Sequence, residues 1–343
     1  MFPFWEMVVA PLVKATGAQR VVEVGALRGE TTAKMFDQLG PTSELHVIDP
    51  LPQFDPEEHE RQFPGRYVFH RALSHEVLPD LPPVDVALID GDHNWYTVYH
   101  ELKMLDATAR RAKRHLPLLV LHDVGWPYGH RDLYYEPSQI PEEFRQPHAR
   151  AGLAPGYHHV LPEGGFNADL DNAIDGGGPR NGVMRALEDF LEEYDRPYRL
   201  AVLPFYYGLA IVVDEARLAE QPQIARILDH FESAPGRLRL LKLSERIRVD
   251  EQVHVHNWNR VLERRSDRNR RRYLDLLKSA LLDEHYLENE VRLDYLTRQP
   301  ADIDPAKLRD PARSCAIRLY RTSRVRAGSR SLAGSMSAGC RVR

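Results

Sequence analysis

The stretch Val21-Val22-Glu23-Val24-Gly25-Ala26-Leu27-Arg28-Gly29-Glu30-Thr31-Thr32 constrains this chain more than any other. A β-branched apolar run ends in an acid and a glycine, and a second glycine opens a helix-like segment. That pattern predicts a strand, a tight turn and a helix N-terminus, where an open α/β sheet receives a nucleotide-like ligand. A dinucleotide fold wants G-x-G-x-x-G, so that backbone closes on a pyrophosphate. Here the middle glycine is missing, and the pattern is E-x-G-x-x-x-G-x-T.

This pattern resembles motif I of class I S-adenosylmethionine (SAM)-dependent methyltransferases. The resemblance implies that Glu23 sits near the methionine end of the cofactor and that Gly25 and Gly29 let backbone approach it. Thr31 or Thr32 would cap the helix. The bland alternative is an ordinary strand-to-helix turn, so the rest of the chain has to decide.

The 343 residues suit one large domain or two modest ones. A net charge of −4 gives no global reason to expect a nucleic-acid partner. No apolar run approaches the roughly 18–20 residues of a membrane span. The start, Met1-Phe2-Pro3-Phe4-Trp5-Glu6, lacks the basic residues and cleavage site of a signal peptide. Both cysteines, Cys315 and Cys340, lie in a polar tail, so no disulfide framework is expected in the main body. A soluble cytoplasmic protein is the expectation, with no nucleic acid or membrane as partner.

In chain order, residues 6–19 read as a helix before the motif strand, and a second helix runs through Ala33, Phe36 and Leu39 to Gly40-Pro41. Leu45-His46-Val47-Ile48-Asp49 is a buried-looking strand ending in an acid. Asp49 falls about 20 residues beyond the first glycine, where a carboxylate can accept ribose hydroxyls. Residues 51–65 predict an irregular connection or short helix. Tyr67–Ser74 reads as the third strand and its exit loop, and further strands are expected at Val84–Asp90 and Leu116–Leu121, with a helix over Tyr96–Arg114. Alternating strands and helices argue a parallel sheet. Tyr198–Leu203 and Gly208–Val213 flank a short turn and read as an antiparallel hairpin. The predicted class is therefore α/β, a Rossmann-like doubly wound sheet with a terminal antiparallel hairpin, plus a helical C-terminal extension. In the methyltransferase fold the exit loop of the third strand lies beside the adenine, which makes Ala72, Leu73 and Ser74 candidates there.

Two clusters carry the chemistry: Asp90-Gly91-Asp92-His93 after the fourth strand and His122-Asp123 after the fifth. Neighbouring strand ends face one crevice, so these groups should converge. Converging carboxylates repel unless something positive sits between them, and oxygen-rich ligands suit a hard divalent ion such as magnesium. The bland alternative is helix caps and a surface ion network.

Asp90-Gly91-Asp92-His93 with Trp95-Tyr96, then Leu121-His122-Asp123, resembles the metal-dependent sugar O-methyltransferases, including the macrocin O-methyltransferases and the cephalosporin-hydroxylase-like branch. The similarity covers roughly residues 15–125 and the hairpin at 198–213. It implies Asp90, His122 and Asp123 as metal ligands, although several relatives carry an acid where this chain has His122. Asp92 matches the position of the general base, with His93 its neighbouring alternative. Asp90, at the crevice, would also border the cofactor. A metal that binds vicinal sugar oxygens lowers the hydroxyl pKa and aligns it with the methyl.

Residues 125–182 interrupt the sheet before its hairpin. This glycine- and aromatic-rich stretch reads as an acceptor-binding lid, with Trp126, Tyr128, Tyr134 and Tyr135 to stack on a ring and Arg180 and Asn181 to hydrogen-bond it. A structural excursion stabilised by its own aromatics is the alternative. A helix is expected over Val183–Tyr194. The expected domains are a methyltransferase domain at 1–214, a helical extension at 215–313 and a disordered tail at 314–343. Within the extension, helices are expected at 215–265 and 268–298, and the basic run Arg264–Arg272 reads as a solvated linker rather than an RNA contact. Residues 272–290 are similar to the start of a second macrocin-type domain. From Ser314 on, the composition cannot support a core, which suggests a lost second domain and a shifted frame.

The leading expectation is a SAM-dependent, metal-assisted O-methyltransferase acting on a sugar-bearing or polyhydroxylated small molecule, with a homo-oligomer as one arrangement. An NAD-dependent oxidoreductase shares the sheet and Asp49 but lacks the dinucleotide glycines. A non-catalytic SAM-binding scaffold or partner subunit is the third alternative.

Overall fold

The computed structural model describes residues 1–282, with side chains through Arg271 except Asn269. Its centre is a seven-stranded sheet in the order β3-β2-β1-β4-β5-β10-β9. The strands are β1 (Arg20–Val24), β2 (Glu44–Ile48), β3 (Tyr67–His70), β4 (Val86–Ile89), β5 (Leu118–His122), β9 (Tyr198–Leu203) and β10 (Leu209–Asp214). The first five run parallel; β10 inserts antiparallel between β5 and β9. The apolar runs of β4 and β5 are buried throughout, as strands covered on both faces must be.

Alternate residues feed two cores. Val21, Leu45, Val86, Leu118 and Ile211 point to one face, and Val22, Ile48, Ala87, Leu119 and Val212 to the other. The first face is covered by α1 (Ala10–Thr16), α2 (Glu30–Met35), α8 (Pro222–Glu232) and the start of α9 (Ala234–Leu282). Helices α5 (Trp95–Arg111) and α6 (Val183–Glu193) cover the second. The shorter α3 (Pro56–Gln62), α4 (Ser74–Val77) and α7 (Glu215–Glu220) complete the set. The expected first helix is shorter than its pattern: a π-type turn over Trp5–Val9 precedes α1, and Gly17 in the left-handed region ends it.

The insertion after β5 builds a small antiparallel sheet of its own, in the order β6 (Leu133–Tyr134), β8 (Asp171–Ala173), β7 (His148–Arg150). Tyr128, Leu133 and Leu153 are buried at its centre.

One compact unit spans Met1–Glu251, and a second begins at Gln252. The division falls later than the expected boundary at 214 because the helices after the hairpin feed the first core. Leu218, Ile224, Leu228 and Phe231 enter it, followed by Leu240, Leu243 and Ile247 on one stripe of α9. Arg217 locks this junction, donating from Nη1 to the carbonyl of Asp85 at 2.7 Å. The expected break at 266–267 is absent: α9 runs unbroken through Ser266-Asp267, a pair that carries neither glycine nor proline. From Arg248 to Arg271 every side chain described is exposed. The start of the proposed second domain lies in α9 up to Leu282 and outside the described residues from 283 on, and the tail at 314–343 lies wholly outside them. No helix among the described residues is long and apolar enough to cross a membrane.

Candidate active site

The parallel strands deliver their C-terminal ends to one edge. Gly25 follows β1 with φ +81°, and a β-carbon there would overlap the carbonyl of Asp90 and the α-carbon of Gly91. Glycine is therefore required where the ends of β1 and β4 cross. Gly25 donates to the carbonyl of Ile48 at 2.9 Å, and Asp90 donates to that of Val24 at 2.9 Å. Gly29 precedes α2 with φ +70° and faces the ring of Phe54.

Asp49 faces this loop. Its Oδ2 accepts from the backbone N–H of Ala26 at 3.0 Å and of Leu27 at 2.8 Å, and its Oδ1 accepts from Leu51 at 2.8 Å. The carboxylate expected to meet ribose thus also holds the glycine loop in shape. Glu23 is buried beneath the loop and accepts from the Thr32 hydroxyl at 2.6 Å. Burial pushes its carboxyl up to about 7 despite that hydrogen bond. Thr32 is therefore committed to Glu23 and does not cap the helix; α2 has no side-chain cap, and Thr31 supplies none either. Ala72 and Leu73 are half-buried in the loop after β3, and Ser74 is buried at the start of α4.

Asp90, His93 and Asp123 converge, each offering one ligand atom within 4.8 Å of the others. His93 Nε2 stands 3.0 Å from Asp123 Oδ2. His93, expected as the alternative general base, thus lies with Asp90 and Asp123. His122, expected as a ligand, plays another part. Its Nδ1 lies between Asp123 Oδ2 at 2.8 Å and Asp90 Oδ1 at 3.1 Å, so one ring nitrogen is already spent bridging the two acids. Phe4, Tyr206 and Tyr207 wall its ring at centroid distances of 5.9, 6.1 and 6.2 Å.

The electrostatics follow from burial against pairing. Burial alone would lower the pKa of His122, but Asp90 and Asp123 outweigh it and raise the imidazole to about 9. Burial likewise opposes the charge on His93, and Asp123 and Asp90 raise it. The carboxyl of Asp123 is held far below its usual range, because His93 and His122 overcome its burial. Asp90 is lowered too, its burial outweighed by the amino group of Met1 and by His122. Asp123 also has φ +61°, an uncommon conformation for a residue with a side chain. Tyr206 and Tyr207, beside the His122 ring, share that conformation at φ 48° and 65°.

Asp92 lies at the edge of the cluster. Its Oδ2 accepts from Asn94 Nδ2 at 2.6 Å and from the Thr97 hydroxyl at 2.9 Å, while its Oδ1 accepts from the N–H of His93 at 2.9 Å. Above it, Tyr128 stacks on His93 with ring centroids 5.5 Å apart, and the Tyr135 hydroxyl lies 3.2 Å from His93 Nδ1.

The insertion meets the site differently from expectation. Tyr128 and Tyr134 are buried within it, and Asn181 is spent on Asp132 N and the carbonyls of Asp175 and Gly177. These three are therefore not free to hold an acceptor. Trp126 and Tyr135 remain exposed. Arg180 is exposed as well, its guanidinium 5.3 Å from the ring centroids of Trp95 and Phe144. Sequence reasoning missed Asp132. Fully buried, it accepts from Trp95 N at 2.7 Å, from the Tyr134 hydroxyl at 2.7 Å and from Gly182 N at 2.6 Å, pinning the insertion to the start of α5. A lone acid in a loop carries no local signal for partners so distant in the chain.

Residues 22–124 match the family model of a methyltransferase domain. Over these residues the chain carries a methyltransferase domain. The match covers β1 to β5 of that domain and ends just past Asp123. Similar solved structures include an O-methyltransferase of Streptomyces achromogenes involved in tomaymycin synthesis, in complex with SAM, at 13% identity. That match covers 60% of this chain and 78% of the other, with a TM-score of 0.34. An O-methyltransferase from Bacillus cereus in complex with SAH is 12% identical, covering 60% and 78% of the two chains with a TM-score of 0.33. A methyltransferase from Geobacter sulfurreducens is 12% identical, covering 60% and 75% with a TM-score of 0.35. No curated protein matches the sequence.

The donor set suits a hard divalent ion. Two carboxylates and an imidazole converge, with His93 Nε2 3.0 Å from Asp123 Oδ2, and His122 Nε2 is buried without a hydrogen-bond partner among the described residues. Open positions would remain for oxygen ligands of a substrate.

Proposed function

We propose that the chain transfers a methyl group from SAM to a hydroxyl of a sugar-bearing or polyhydroxylated small molecule, assisted by a divalent ion, magnesium first. The observation that carries this reading is the convergence of Asp90, His93 and Asp123 at the ends of two neighbouring strands. These three residues would hold the ion. A divalent ion bound there would supply Lewis acidity, lowering the pKa of a coordinated hydroxyl.

The protein's own groups do the rest. Asp49 and Gly25 set the loop against which the cofactor lies, and the loop at Ala72 to Ser74 borders its adenine. His122 bridges the two acids and holds their carboxylates in place. Among the described residues Asp92 Oδ1 accepts only the His93 N–H, so it retains a lone pair for the hydroxyl proton, while Asn94 and Thr97 fix the other oxygen. The acceptor oxygen forms a bond to the methyl carbon as the sulfur–methyl bond breaks, and its proton passes to Asp92. Burial of the acids keeps water from competing for the same positions. The insertion, anchored through Asp132, would close over the acceptor with Trp126 and Tyr135 against its ring.

Calorimetric titration with SAM, in EDTA and then in magnesium with NAD as control, tests the cofactor reading. Turnover of Asp123→Asn on polyhydroxylated acceptors tests the ion. SAM binding with loss of magnesium-stimulated turnover is expected. Wild-type protein that turns over fully in EDTA would overturn the metal role, and failure to bind SAM would overturn the whole.

A further inference from the structure

Away from the strand ends, a cleft of about 490 Å³ opens between the start of the chain, α8 and the first turns of α9. Met7, Pro11, Ile227 and Phe231 give it an apolar wall, and Arg226, His230 and Arg239 give it a basic one. No acid lines it. The volume falls within the range of small-molecule sites, which run from roughly 300 to 1,000 Å³.

The charge imbalance is built in by the packing. The acids of α8 nearest the cleft in sequence, Asp229 and Glu232, are committed to Arg199 of β9 at 2.7 and 3.0 Å. Among the described residues Arg226 and Arg239 form no ion pair. A tight corner brings them to one cleft: the Ser233 hydroxyl accepts from Gly236 N at 3.2 Å, and its carbonyl accepts from Arg237 N at 2.8 Å, turning α9 back over α8. Two guanidinium groups around one opening repel each other, and an anion relieves that repulsion. The apolar wall asks for more than a bare ion.

We propose that this cleft binds a small amphipathic organic anion, a carboxylate carrying an apolar chain or ring, at a site separate from the methyl-transfer centre. The carboxylate would meet Arg226 and Arg239, and the apolar part would lie along Met7, Pro11 and Ile227. The planar fork of arginine matches the two carboxylate oxygens.

The test uses the full chain and isothermal calorimetry with decanoate, decan-1-ol and inorganic phosphate. Decanoate should bind well above either control. The double variant Arg226→Gln/Arg239→Gln, altered only at exposed positions, should raise the decanoate Kd roughly tenfold or more. Ile227→Asp should also weaken it. The double variant should keep the wild-type melting temperature and SAM affinity. Equal binding of decanol and decanoate, phosphate binding as tightly as decanoate, no decanoate binding, or an unchanged Kd in the double variant would each overturn the proposal.

Discussion

His93 Nε2 and Asp123 Oδ2 stand 3.0 Å apart, although the two residues leave different strands. The turn after β4 and the left-handed turn after β5 bring them together, and Asp92 fixes the first turn from outside. The division of labour between neighbours gives a first prediction. Asp92→Asn retains an oxygen for the His93 N–H but loses the proton acceptor, so turnover should fall roughly 10²- to 10⁴-fold. His93→Gln should instead weaken magnesium binding, read by calorimetry. A full-speed Asp92→Asn enzyme would remove the base assignment.

Gly25→Ala places a methyl against the backbone of Asp90 and Gly91, in a left-handed conformation. Neither the strand end nor the turn can yield without parting β1 from β4. A loss of about 2–4 kcal/mol is expected in urea unfolding. Because the crossing also shapes the cofactor loop, SAM affinity should drop in the protein that still folds.

Glu101, on α5, is fully buried with no cation paired to it among the described residues, and burial pushes its carboxyl up from 4.5 to about 8, outweighing the nearby Ser74 hydroxyl. Between those two values the folded state binds more protons than the unfolded chain. This group's contribution to stability therefore falls as pH rises from about 4.5 to about 8, and below that window it has no effect. Glu101→Gln should raise the melting temperature at pH 8.5 and change it little at pH 4. A melting temperature lowered by the substitution at pH 8.5 would show that the carboxylate is paired.

Asp132 holds two backbone N–H groups and a tyrosine hydroxyl in the interior. Asp132→Ala strands all three donors, at a cost of about 1–3 kcal/mol for each one left unsatisfied. The expected signature is local. Limited proteolysis should cut within residues 125–182 much faster than in wild type, while the sheet core stays protected. Uniform protection across both would mean that the insertion is anchored elsewhere.

The parallel strands were legible because each is an apolar run with a turn signal behind it, and the hairpin because Tyr198–Leu203 and Leu209–Asp214 flank so short a gap. The acid clusters were legible because strand ends in an open sheet must share an edge. Which histidine does what was not. His93 and His122 are both adjacent to aspartates, and only the fold shows that His122 Nδ1 bridges both carboxylates while His93 Nε2 faces Asp123. The aromatic residues of the insertion were misread for a related reason: Tyr128 and Tyr134 have the composition of a binding surface, but in a segment that folds its own small sheet they fill its interior. The boundary at 214 failed because the polar faces of α7 and α8 mask a narrow apolar stripe, which counts only once there is a core to receive it.

Asp49 has a kinetic consequence. Its three backbone hydrogen bonds mean that the glycine loop is already folded around a carboxylate before any nucleoside arrives. Association then involves no search through loop conformations, so the on-rate for the cofactor should approach that of simple docking. The same rigidity leaves departure to the breaking of contacts with the nucleoside itself. Exchange of spent cofactor would then be timed by its grip on the ribose and adenine, independently of any opening of the loop.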